Sequence, residues 1–161
     1  MNTIDFAINM ELEGQKYYLE QMDINKDNEL YKVFSILAKS EKEHAQLLMK
    51  YKVKEVLDQN NFSDFIRPEI KTVFKELKSF PKEHATKQLD AYRLASQQET
   101  KSIELYQELL LKATEPKDQE LFEYLIRQEK EHLNLFEDLV IMLTRPDEWV
   151  ESAEFGIRED Y

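Results

Sequence analysis

This sequence predicts an all-α fold, and three observations carry the prediction. Apolar residues recur with helical spacing in four long segments. Only two glycines and four prolines interrupt 161 residues, too little turn chemistry for a many-stranded sheet protein. The first two segments also reappear in the last two at a constant offset of 88, which carries Ala7 onto Ala95, Tyr18 onto Tyr106, Phe34 onto Phe122 and Leu37 onto Leu125. A chain of this length forms one ordinary domain with room for a real core.

The segments are each roughly 20 to 30 residues, or about 30 to 45 Å, long. The first is expected from about Thr3 to Met22, with Ile4, Ile8, Tyr18 and Met22 on one stripe, ending near the polar stretch 23–28. The second is expected from about Asn28 to Val56 on Leu30, Val33, Phe34, Leu37, Leu48 and Tyr51. A third covers about Glu83 to Ala113 through Ala91, Ala95, Tyr106 and Leu110. The fourth starts at Pro116, a residue suited to a first helical turn, carries Leu121, Leu125, Phe136, Leu139 and Leu143, and stops before Pro146.

Nearly thirty residues separate the second and third segments, too many for a tight turn between antiparallel neighbours. Within them Ile70, Val73, Phe74 and Leu77 follow the i, i+3, i+4, i+7 pattern, so a short extra helix is expected on this crossover. Two similar helix pairs joined by a long crossover give a ferritin-like four-helix bundle. The bundle is assigned to residues 1–146, and residues 147–161 to an irregular C-terminal tail pinned by Trp149, Phe155 and Ile157.

A net charge of −11 argues against nucleic acid and anionic membrane as partners, because both would repel the chain. There is no cysteine, hence no disulfide framework and no thiolate metal centre in these residues. No run of eighteen apolar residues occurs, and the first ten residues carry acidic groups in place of a basic stretch followed by an apolar one. A cytoplasmic location is the expectation.

The polar residues on the apolar stripes are the chemically informative ones. Glu-Lys-Glu-His occurs at 41–44 and again at 129–132, and a lone glutamate lies thirty residues before each copy, Glu11 and Glu99. Seam positions 4, 8, 11, 15, 18, 22 place Glu11 where a leucine is expected, and Glu99 falls likewise between Ala95 and Tyr106. The runs 34, 37, 41, 44, 48 and 122, 125, 129, 132, 136 put Glu41, His44, Glu129 and His132 on the buried seam. Unpaired buried carboxylates cost several kcal/mol each, and a pair of divalent ions among oxygen and imidazole ligands would offset that cost and four negative charges. A spacing of three brings Glu and His onto adjacent turns of one face, within reach of one ion.

Neighbouring polar residues receive plainer readings. Lys42, Glu43, Lys130 and Glu131 point elsewhere on their helices, and His84 lacks a partner glutamate because position 81 is Pro, so it reads as a surface residue at a helix start. Tyr18 and Tyr106 lie two turns beyond Glu11 and Glu99, and serve either core packing or a hydrogen bond to a ligand carboxylate.

These residues resemble the rubrerythrin family of ferritin-like di-iron carboxylate proteins. Glu11, Gly14 and Tyr18 in Met-Glu-Leu-Glu-Gly-Gln-Lys-Tyr-Tyr are similar to its first ligand segment, Glu41 and His44 in Ser-Glu-Lys-Glu-His-Ala to its second, and Glu99 with the Glu129 and His132 pair to its third- and fourth-helix ligands. The resemblance implies that Glu41 and Glu129 bridge two metals, that Glu11 and Glu99 are terminal carboxylates, and that His44 and His132 cap one ion each. Two features depart from the family pattern. These residues carry none of the cysteines of the family's rubredoxin-like domain, and Ser102 stands one turn beyond Glu99 where the family has a further carboxylate. The resemblance is therefore to the short single-domain relatives, with a separate electron-donor protein implied.

Four carboxylates and two imidazoles suit Fe(II) or Mn(II) better than the closed tetrahedral sites of zinc, although manganese and zinc both remain acceptable to such ligands. The expected activity is a peroxidase in which two iron ions, cycling between Fe(II) and Fe(III), reduce hydrogen peroxide with electrons from the external donor. The alternatives are ferroxidase or iron-storage chemistry with oxygen, manganese catalase, and a di-iron oxygenase, for which an apolar substrate pocket would be the mark. A homodimer is expected from the related short proteins and from apolar surface at Trp149, Phe155 and the crossover.

Overall fold

The computed structural model describes residues 2–54 and 82–144. Its first helix, α1, spans Thr3–Ile24 and is capped by Asn2, whose Oδ1 accepts the Asp5 N–H at 2.8 Å. The helix outlasts the expected end at Met22 and stops at two asparagines. Asn25, fully buried, donates from Nδ2 to the Gln21 carbonyl at 2.8 Å, and Asn28 donates to Asn25 Oδ1 while accepting the Leu30 N–H at 2.9 Å. Asn28 thus precedes the next helix and ties its first N–H instead of beginning it, and α2 spans Leu30–Lys52 after Glu29 at its N-cap.

The expected end of α2 at Val56 is corrected. The helix closes at Lys52 because Val53 N–H returns to the Met49 carbonyl and Lys54 N–H to that of Tyr51, with Lys54 at φ 57°, a left-handed conformation that ends a helix. Helix α3 spans Lys82–Lys112 and α4 spans Pro116–Thr144. Gln119 ties the short link between them by donating from Nε2 to the Ala113 carbonyl at 3.0 Å. Four helices and no strand make up the described residues, so the chain is all-α and ferritin-like. The proposed crossover helix at Ile70 to Leu77, the tail with Trp149, Phe155 and Ile157, and the side chain of His84 lie outside the described residues.

Helices α1 and α2 pack as one hairpin and α3 and α4 as another. The repeat in sequence is a repeat in burial: Ala7 and Ala95, Tyr18 and Tyr106, Phe34 and Phe122, and Leu37 and Leu125 are all buried. The apolar core falls into two clusters, one around Leu30, Phe34, Tyr92 and Phe136, the other around Leu48, Tyr106, Leu121 and Phe122. On every helix the residues of one cluster precede, and those of the other follow, a buried charged position: 11 on α1, 41 and 44 on α2, 99 on α3, 129 and 132 on α4. Full burial of one large apolar side chain stabilises by about 1.5–3 kcal/mol, and two such plugs hold a charged layer between them.

Candidate metal centre

Glu11, Glu41, His44, Glu99, Glu129 and His132 are each 4% exposed or less, and the fold brings all six together. They form two groups of four, Glu11, Glu41, His44, Glu129 and Glu41, Glu99, Glu129, His132, and within each group one donor atom per residue lies within 4.8 Å of the others. Glu41 and Glu129 belong to both groups. Each half of the repeat therefore supplies one shared carboxylate, one unshared carboxylate and one histidine.

The shortest contact of each histidine crosses between hairpins. His44 Nδ1 lies 3.0 Å from Glu129 Oε1 and 3.4 Å from Glu11 Oε2. His132 Nδ1 lies 2.9 Å from Glu41 Oε1, 3.3 Å from Glu129 Oε2 and 3.4 Å from Glu99 Oε1. The tyrosines cross as well: Tyr18 donates its hydroxyl hydrogen to Glu99, and Tyr106 donates to Glu11. Each is packed in the core and also holds the unshared carboxylate of the opposite hairpin, so both readings of these tyrosines apply.

Electrostatics follow from burial and proximity. Burial, with the charges of Glu11 and Glu129 beside it, pushes the Glu41 carboxyl well up, and burial with Glu11 and Glu99 does the same to Glu129. Burial also acts to raise Glu11, but hydrogen bonding with Glu41 and the charge on His44 outweigh it and hold Glu11 at about 2. Glu99 is lowered in the same way, against burial, by His132 and its hydrogen bonds. Burial opposes a charge on either imidazole; nevertheless Glu11 raises His44 well above its ordinary value, and Glu99 with Glu129 raises His132 to about 10. The raised carboxyls and imidazoles favour bound protons that offset the charge on Glu11 and Glu99, and a metal ion held by these residues would compete with those protons.

The donor set fits a metal pair. Glu11 Oε2, Glu41 Oε1, Glu99 Oε2 and Glu129 Oε2 are buried and accept no well-aligned hydrogen bond, three of them having only a histidine Nδ1 at 2.9 to 3.4 Å, the condition that an inward-facing cation relieves.

Ser40 escaped the sequence reading, and the contact made by Gly14, noted there only within a motif, is set by the fold. Ser40 is buried, and its Oγ lies 3.4 Å from His44 Nε2 and 3.0 Å from His132 Nε2, between imidazole rings 5.8 Å apart. Its position one helical turn before His44 was the available signal. Gly14 carries a packing role: a Cβ there would lie 3.1 Å from Glu41 Oε2, so a larger residue would require this shared carboxylate to give by a few tenths of an ångström. Among the others, Lys42 is exposed, whereas Glu43, Lys130 and Glu131 are half-buried and outside both groups. Ser102 is buried and donates to the Gln98 carbonyl on its own helix at 3.1 Å. A cavity of about 490 Å³ between α1 and α3 reaches inward to Glu41 and Glu99.

An all-α bundle crossed by a buried carboxylate and histidine layer defines a class, the ferritin-like bundle whose core is able to hold metal. The sequence model of the rubrerythrin family matches residues 2–140, and the chain belongs to that family. No curated protein and no solved structure matches the chain. No helix among the described residues is long and apolar enough to cross a membrane.

Proposed function

We propose that this protein is a di-iron peroxidase that reduces hydrogen peroxide with electrons from an external donor protein. One observation carries the reading: two four-residue groups of buried glutamate and histidine share Glu41 and Glu129. In it Glu41 and Glu129, which belong to both groups, would serve both iron ions, Glu11 with His44 would complete one site, and Glu99 with His132 the other. When bound, the two ferrous ions supply the two electrons that reduction of a peroxide requires.

The remaining contributions belong to the chain. Tyr18 and Tyr106 orient Glu99 and Glu11 through their hydroxyls, and Ser40 turns the Nε2 edges of both imidazoles away from the carboxylates. The two apolar clusters keep water from both ends of the layer. Electrons arrive from outside these residues, which contain no cysteine to hold an iron–sulfur carrier. A homodimer is part of the same proposal.

A second reading, oxygenation of an apolar substrate, is favoured by the cavity between α1 and α3. One experiment separates the two. The metal-free protein is loaded anaerobically with Fe(II) to two ions per chain, then mixed rapidly with equimolar hydrogen peroxide or dissolved oxygen while the near-ultraviolet ferric absorbance is followed. Much faster oxidation by peroxide is the expected result. Faster oxidation by oxygen moves the assignment to ferroxidase or oxygenase chemistry.

A further inference from the structure

The cavity between α1 and α3 is far larger than hydrogen peroxide needs. Its volume is about 490 Å³, whereas a water-sized molecule occupies about 30 Å³ of liquid. It falls within the range of pockets that enclose organic ligands, about 300–1,000 Å³. Its lining is graded from mouth to floor. Phe6 and Leu94, 55% and 46% exposed, stand at the rim among the exposed polar Asn9, Glu13 and Gln98, Met10 and Ala95 line the wall, and Glu41 with Glu99 form the inner end.

The internal repeat explains why the space exists. Phe6 and Leu94, Met10 and Gln98, and Gly14 and Ser102 are related by the offset of 88, and all six line the cavity. The innermost pair is the smallest. Glycine and serine there leave the carboxylates reachable from the cavity, whereas leucines at the same two positions would close it. The exposed apolar rim has no structural task in the two core clusters, since neither Phe6 nor Leu94 belongs to them.

We propose that this cavity is a subsite for the apolar body of an organic hydroperoxide, whose O–O group it delivers to the metal edge at Glu41 and Glu99. The proposal rests on the peroxidase reading and names its substrate class. An oxygenase substrate would need the oxidant brought separately, but a hydroperoxide places an apolar body and the group to be reduced in one molecule, matching the apolar side chains Phe6, Met10, Leu94 and Ala95 of a cavity that ends in ligand carboxylates. In the balanced step, ROOH takes two protons from solvent and one electron from each of two ferrous ions. The O–O bond breaks, one oxygen leaves as ROH and the other as water, and two ferric ions remain.

The test combines binding and rate. Cumyl alcohol, the product of cumene hydroperoxide, is titrated into the metal-free protein and amide shifts are followed by NMR. Saturable shifts confined to α1 and α3 around Phe6, Met10 and Leu94 are expected, and Leu94→Trp, which fills the mouth from a half-exposed position, should weaken them at least tenfold. In the iron-loaded protein Leu94→Trp should slow oxidation by cumene hydroperoxide at least tenfold and leave the hydrogen peroxide rate within twofold. Because Leu94 contributes little to the core, circular dichroism should report an unchanged fold, and Leu94→Ala, which widens the mouth, should retain the cumene hydroperoxide rate. Absence of alcohol binding, or equal slowing of both peroxides by Leu94→Trp, overturns the subsite while leaving the peroxidase reading intact. Oxygen-dependent hydroxylation of cumene by the loaded protein overturns it in favour of an oxygenase substrate. Loss of reaction with both peroxides in the unmodified protein overturns the peroxidase reading itself, and the subsite for a hydroperoxide with it.

Discussion

Six side chains make this centre, yet they are not equivalent, and single substitutions should show it. Glu41 and Glu129 belong to both four-residue groups, while Glu11 and Glu99 each belong to one. Glu41→Ala or Glu129→Ala should therefore abolish the metal pair, and Glu11→Ala should retain one ion per chain, as counted by elemental analysis after iron loading and desalting. A Glu41→Ala protein that keeps two ions would refute the ligand assignment. Ser40 acts through the histidines. Its single oxygen faces both Nε2 atoms, so Ser40→Ala should leave the fold intact and weaken metal binding by about 10- to 100-fold, the usual effect of removing a ligand's hydrogen-bond partner. Competition with a chelator of known affinity measures it.

Helices bring the pieces into register, and their ends and contact faces decide how tightly. The α1 to α2 turn depends on Asn25, buried and bonded through its side chain to the Gln21 carbonyl and to Asn28. Asn25→Ala removes those bonds and leaves buried polar groups unpaired, at a cost of about 1–3 kcal/mol in urea unfolding. Where α1 crosses α2 the relevant quantity is distance. A Cβ at Gly14 would sit 3.1 Å from Glu41 Oε2, so Gly14→Ala should make the metal-free helix more favourable by about 0.5–1 kcal/mol on propensity alone. It should simultaneously displace Glu41 and lower metal affinity. Opposite signs for the two measurements are the expected signature, and a variant binding both ions unchanged would show that Glu41 yields freely.

The whole bundle responds to pH through the same charged layer. Glu41, Glu129, His44 and His132 all have raised values in the fold, His132 at about 10. The folded state thus binds more protons than the unfolded chain, and the stability these groups contribute falls as pH rises: above about 4.5 for the two carboxyls, and from about 6.5 to 10 for His132. Glu11 and Glu99 act oppositely, contributing stability above about 4.5 that is lost as pH falls, towards about 2 for Glu11. The metal-free protein should accordingly melt at lower temperature at pH 9 than at pH 6. Metal held by these groups would displace the protons bound to them, so affinity should rise with pH. Melting temperature at fixed excess Mn(II) or Fe(II) should then increase from pH 5 to pH 8, and calorimetry in buffers of different ionisation heat should count the released protons.

Much of this was legible in one dimension because the chain says it twice. The 88-residue offset, the scarcity of glycine and proline, and the placing of Glu11, Glu41, His44, Glu99, Glu129 and His132 on apolar seams were enough for four helices, their approximate limits and the six inward-facing groups. Helical periodicity is a local property, so spacing alone reveals which residues share a face. Helix ends were less accurate: Val56 was set too late, because the left-handed turn at Lys54 is marked by no glycine. Relations between faces were out of reach. That Tyr18 holds Glu99 and Tyr106 holds Glu11, that Ser40 lies between two histidines from different hairpins, that Gly14 makes way for Glu41, and that α1 and α3 leave a cavity leading to the carboxylates all depend on how the hairpins dock. Those distances arise from packing between segments remote in sequence, and no periodicity along the chain encodes them.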